Sequence, residues 1–202
     1  MIETLVGLQN DHRRLARLAA LLGDRAAADV LPDASGLALI TDTVYYLTHF
    51  PDVFHHPRED ALARWLNRQG ALPDTLVDTL AAQHAELEVQ GRDLLRDLES
   101  LVRQETETWP GLAPRLGAYA RALRLNMATE EEQLLPIAFA EALEARYAIP
   151  AELALTCKHD PLDQQTDLRF AQLRAVIIAE AECACDCSPA VTYRPIRGEQ
   201  HS

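Results

Sequence analysis

Apolar residues recur along this chain at intervals of three and four, and the pattern restarts several times. Leu5, Leu8, His12, Leu15, Leu18 and Leu22 fall on one face at helical spacing. A second stretch, from about Ser35 to Asn67, puts Ile40, Val44, Leu47, Pro51, His55, Glu59, Leu62 and Leu66 on one stripe. Pro51 and Pro57 each remove a backbone donor, which predicts a kinked or locally unwound turn there. A third helix is signalled by Pro73-Asp74 and carries Leu76, Leu80, His84, Glu88, Gly91, Leu95 and Leu98 in register. The fourth follows Trp109-Pro110 and shows Leu116, Tyr119, Leu123, Asn126, Glu130 and Leu134. A fifth helical region begins near Pro150 and restarts at Asp160-Pro161, a capping residue followed by proline at the first helical position.

Four long helices joined by short breaks predict an all-α fold, an up-down antiparallel four-helix bundle over residues 1–145. An accessory helical segment at 146–182 is expected to pack on the bundle and to mediate a homodimer, followed by a Cys-containing tail at 183–202. The composition agrees with helix, since the 202 residues include only 8 Gly and are 48% apolar. With 31 acidic against 19 basic residues the net charge is -12, which argues against a nucleic-acid partner. The N-terminus lacks a signal-peptide pattern and no apolar run is long enough to span a bilayer, so a cytoplasmic protein with no membrane association is expected. Cys183, Cys185 and Cys187 crowd together instead of spreading as a disulfide framework would.

Each stripe is interrupted at one level, where metal-ligand residue types replace leucine. They are His12 on the first helix, His55 and Glu59 on the second, His84 and Glu88 on the third, and Asn126 with Glu130 or Glu131 on the fourth. Residues four apart lie about one turn apart on the same face, so each pair is able to aim at one point. Buried carboxylates without partners are costly, and a pair of cations would compensate several at once. Imidazole with carboxylate suits iron, manganese or zinc, and facing helices of a bundle build such centres.

The segments Asp11-His12-Arg13-Arg14-Leu15, Phe50-Pro51-Asp52-Val53-Phe54-His55-His56-Pro57-Arg58-Glu59-Asp60, Gln83-His84-Ala85-Glu86-Leu87 and Asn126 to Pro136 resemble the hemerythrin-like (HHE cation-binding) family. His-His-Pro-Arg-Glu is the most specific part, and the resemblance covers about residues 1–145. It implies two iron ions in an oxo-bridged (Fe-O-Fe type) centre that meets small ligands such as O2, peroxide or NO, or senses iron or oxygen. It further implies that His12 and His55 serve one iron and His84 the other, with Glu59 as one bridge and Glu130 or Glu131 as the second. Any enzymatic activity would be of di-iron oxidase or peroxidase type. Two departures stand out. Glu88 occupies a place where hemerythrins proper usually have a second histidine, and Asn126 occupies that of the fourth-helix histidine. The second metal position is therefore expected to be weak or to take another metal. The competing expectation is a mononuclear or degenerate metal site in a structural, partner-binding module.

Other candidates have plainer readings. His49 lies off the stripe of His55 and reads as a boundary residue, and His56 pairs in spacing with Asp60. Tyr45, Tyr46 and Tyr119 read as core aromatics. A metal-free bundle would need its inner carboxylates either protonated or paired by arginine, with Arg92, Arg121 and Arg124 as the candidates for some of them.

Overall fold

The computed structural model describes residues 2–28, 30–105, 107–144 and Leu173. Helix α1 spans Ile2–Ala27. Helix α2, Ala34–Phe50, runs through a π-helical turn at Pro51–His55 into α3, His56–Arg68. Helix α4 is Asp74–Val102. Helix α5, Trp109–Thr129, continues through a second π turn at Glu130–Leu134 into α6, Leu135–Glu144. The described chain is thus four long helical segments, two straight and two carrying a wide turn, with no strand among the described residues.

Local chemistry sets the boundaries. The Asp33 side chain accepts the Gly36 N–H at 2.7 Å and caps the start of α2. Gly70, at φ +76°, turns the chain after α3, where few side chains fit without strain. Asn67 then clamps the short link by donating to the Leu72 carbonyl at 2.9 Å and to Asp74 at 2.7 Å.

The prolines widen the second segment instead of unwinding it. Pro57 offers no N–H to the carbonyl four residues back, and its ring would crowd that carbonyl in a regular helix. The backbone answers one turn earlier, where the His56 N–H reaches back to the Pro51 carbonyl. Pro136 stands in the same relation to the second π turn, where the Leu135 N–H reaches the Glu130 carbonyl. Single π turns of this kind accommodate one extra residue without breaking the helix.

The segments pack as a bundle: α1 against α5, α5 against α4, α4 against α2, and α1 against α2 and α6. The buried apolar residues form two clusters. One holds Leu15, Leu18, Leu22, Leu47, Phe50, Leu87, Leu123 and Met127, together with Leu173. The other holds Leu5, Leu8, Leu62, Leu66, Leu80 and Leu134. Leu8 and Leu15 belong to different clusters with His12 between them, and Leu80 and Leu87 flank His84 in the same way. A polar layer therefore divides the core, at the level where leucine gives way to histidine and glutamate.

On α4 the buried stripe is Leu76, Leu80, His84, Leu87, Gly91, Leu94 and Leu98. This alternation of threes and fours corrects the expected register, which ran through Glu88 and Leu95. Gly91 is required there, because a Cβ at that position would run into the Thr48 side chain of α2. The accessory segment at 146–182, the tail at 183–202, Cys157, Cys183, Cys185, Cys187 and His159 lie outside the described residues, Leu173 excepted. Among the described residues no helix is long and apolar enough to cross a membrane.

Candidate metal centre

The polar layer brings together side chains from every segment. His12 comes from the middle of α1, His55 from the end of the first π turn, Glu59 from the first turn of α3, His84 from α4, and Glu130 from the start of the second π turn. All five are buried, Glu59 and Glu130 completely. Glu59 lies at the middle. Its Oε1 is 2.9 Å from His12 Nε2 and 3.2 Å from His55 Nε2, while its Oε2 is 3.8 Å from His84 Nε2. Glu130 spans the same gap from the other side, with Oε1 2.9 Å from His84 Nε2 and Oε2 3.3 Å from His12 Nε2.

Two groups of three donors result, one of His12, His55 and Glu59, the other of Glu59, His84 and Glu130. Within each, the donor atoms lie within 4.8 Å of one another. The donor set fits cations. His55 Nε2, Glu59 Oε2 and Glu130 Oε2 are buried and make no hydrogen bond. Leaving such atoms unpaired costs free energy, and each has a lone pair that a metal ion would accept. Imidazole nitrogen and carboxylate oxygen are a donor mixture for iron, manganese or zinc.

Electrostatics carry the same mark. Burial opposes a charge on His12, yet the close carboxylates of Glu130 and Glu59 overcome this and push its pKa up to about 10. His84 reaches about 10 against the same opposition from burial, through Asp60, Glu130 and Glu59. His55 is also raised, with burial outweighed by the Glu59 charge and a hydrogen bond to Asp11. Burial would raise Glu59, but the facing imidazoles hold it well below the ordinary carboxylate range. In the metal-free protein protons on the imidazoles thus balance the inner carboxylates, in the place where cations would.

Behind each imidazole stands a carboxylate on Nδ1. His12 meets Glu131 at 3.1 Å, His55 meets Asp11 at 3.3 Å, and His84 meets Asp60 at 2.9 Å. The stripes alone do not single out Asp11 and Asp60. Their signal is nonetheless in the chain, since each is an acidic residue next to an inner ligand type. Glu130 and Glu131, alternatives for one role in the sequence, take different places. Glu130 is inside the layer, whereas the Glu131 side chain is 51% exposed and touches the outer nitrogen of His12.

Asn126 is buried in the layer, but its amide nitrogen faces inward, donating to Glu130 Oε1 at 2.9 Å and to Gln83 Oε1 at 3.3 Å. In this arrangement it orients a carboxylate and presents no oxygen to the centre. Glu88 is not brought to the cluster. Its side chain is 49% exposed and pairs with Arg92 at 3.3 Å, because the stripe passes through Leu87. His56 packs outside the centre, stacked on His84 with ring centroids 4.2 Å apart and bonded to Asp52 at 3.2 Å instead of to Asp60. Burial lowers its pKa. His49 is exposed and stacks on Tyr45. Tyr46 and Tyr119 are core aromatics, and the Tyr119 hydroxyl donates to the Leu47 carbonyl at 3.4 Å. Arg121 and Arg124 are exposed, and Arg92 is engaged by Glu88, so neutralisation of the inner carboxylates by arginine finds no support in these three.

Comparison with curated proteins and with solved structures returns no match. The family model for the hemerythrin HHE cation binding domain matches residues 5–138, a span that takes in all five inner residues and every carboxylate behind them. By that match and by this geometry, the chain belongs to the hemerythrin HHE cation-binding domain family.

Proposed function

We propose that the polar layer is a dinuclear non-haem iron centre in an up-down antiparallel bundle, and that the protein binds or reacts with O2, peroxide or NO, or senses iron or oxygen. The observation that carries this reading is the pair of three-donor groups sharing Glu59, with buried donor atoms in them that make no hydrogen bond. His12 and His55 would hold one ion, His84 the other, and Glu59 and Glu130 would lie between them. When bound, two ferrous ions would supply the electrons for reducing a small oxidant.

The chain's own residues do the rest. His12, His55 and His84 give up their Nε2 protons on loading, and their Nδ1 atoms stay tied to carboxylates, which keeps each ring oriented. Leucines above and below the layer exclude water, so charge inside it is weakly screened. Glu59 and Glu130 stay ionised and offset two of the four positive charges of a ferrous pair.

Elemental analysis of protein reconstituted anaerobically with ferrous iron and desalted tests the reading. Two irons per chain, with an oxo-bridged diferric absorption band that shifts on adding azide, are the expected result; no retained metal would overturn it. A second reading, a mononuclear or degenerate metal site in a partner-binding module, draws on Asn126, whose amide leaves His84 as the one imidazole in its donor group among the described residues. One iron per chain and no azide-sensitive band would favour it.

A further inference from the structure

The contacts behind the centre follow a rule that the inner ligands alone do not require. Asp11 precedes His12 in sequence and holds His55 on the next segment. Asp60 follows Glu59 and holds His84 on α4. Gln83 precedes His84 and accepts from Asn126 on α5. Glu131 follows Glu130 and holds His12 on α1. Each segment thus contributes an inner residue and, one position away, an outer acceptor directed at the neighbouring segment, and the four links close on themselves. Successive helical residues point about 100° apart, so a residue beside an inward-facing ligand is aimed along the flank of its helix, where the neighbour lies.

Resting on the metal-centre reading above, we propose that Asp11, Asp60, Gln83 and Glu131 are positioning residues forming a closed ring that orients His12, His55, His84 and Asn126 about the centre. An ionised carboxylate only accepts, so at His12, His55 and His84 it fixes the proton on Nδ1 and leaves the Nε2 lone pair for the metal. The fourth corner obeys the same logic with neutral groups. The Glu130 carboxylate only accepts, so it draws the Asn126 nitrogen, and not its oxygen, inward, and the Gln83 oxygen accepts that amide's other N–H. Gln83 and Asn126 are therefore one unit, a neutral corner where the other three are acidic acceptor and imidazole. Restoring a histidine at 126 is not enough by itself, because the acceptor that would orient it is an amide able to present either of its ends.

The test is stepwise titration of metal-free protein with Co(II), read by its ligand-field absorption, for the wild-type chain and for Asp60→Asn, Asp11→Asn and Glu131→Gln. The ring predicts that Asp60→Asn weakens the His84 position about 10- to 100-fold and spares the other, while Asp11→Asn and Glu131→Gln do the reverse. Asp60→Glu should recover most of the loss, which a general destabilisation would not allow. A double-mutant cycle probes the neutral corner: Asn126→His with Gln83→Glu should tighten the His84 position by more than the product of the two single effects. Unchanged constants, an equal loss at both positions, or a strictly multiplicative cycle would overturn the ring. Failure of the wild-type chain to bind Co(II) at all would instead overturn the metal-centre reading beneath it.

Discussion

The two halves of the polar layer share a carboxylate and differ in almost everything else. On one side His12 and His55 converge on Glu59 Oε1 with ring centroids 5.0 Å apart, each ring backed by a carboxylate. On the other, His84 stands with Glu130 and an amide that donates instead of accepting. One half offers two imidazoles and a carboxylate oxygen. The other offers one imidazole and carboxylate oxygens alone, a harder set with one fewer nitrogen. The lesson is that two groups built on one carboxylate can offer different donors, because residue type and the direction of one hydrogen bond set them apart.

The most damaging change removes what the halves share. Glu59→Gln should bring metal content to near zero per chain by elemental analysis; retention of two ions would mean that Glu59 does not link the halves. Next in size, His55→Ala and His84→Ala should separate them. The first should empty one position and lower the thermal midpoint of the loaded protein, since Glu59 loses a partner. The second should remove the other ion and leave its neighbour. Equal loss of both metals in either variant would argue for one indivisible site.

Acidity gives a smaller handle, present in both halves. In the metal-free protein His12 and His84 titrate at about 10 when folded against 6.5 when unfolded. The stability they confer is complete below pH 6.5 and is lost as pH rises toward 10. Glu59 is depressed from 4.5, so its contribution is present above that value and lost as pH falls below it. The metal-free protein should therefore be most stable between about pH 4.5 and 6.5, with its thermal midpoint falling toward pH 10. His12→Gln and His84→Gln should each flatten that fall. A midpoint that rises between pH 7 and 10 would contradict the paired imidazoles. The smallest effect belongs to Glu88→Ala, which should leave metal content intact and change stability by no more than about 0.5 kcal/mol. A drop in metals there would put Glu88 back in the centre.

Most of the fold was legible because burial in a bundle imposes a period. The stripes through Leu5 to Leu22 and Leu116 to Leu134, and the breaks at Pro73 and Trp109, reappear as buried faces and helix starts. The inner histidines and glutamates were legible for the same reason, as polar exceptions on apolar stripes. Glu88 misled because four residues after His84 and three residues after it are both helical neighbours, and only packing chooses Leu87. Asn126 was visible on its stripe, but its inward-facing nitrogen is set by Glu130, which only accepts, and its second partner, Gln83, lies 43 positions away in sequence. Asp11 and Asp60 act between helices, and contacts between helices leave no period to read.

The wide turn at Pro51–His55 also acts on the chain as a choice of reading frame. Lose the surplus residue from 51–54 and the turn closes to a regular helix with His55 and Glu59 still at their present bearings. Keep every residue but wind the turn as regular helix, and all that follows advances by about 100°. Phe54 and Arg58 would then stand where His55 and Glu59 now do, a phenyl ring and a cation in place of an imidazole and a carboxylate. One wide turn decides which neighbours in the sequence speak to the layer.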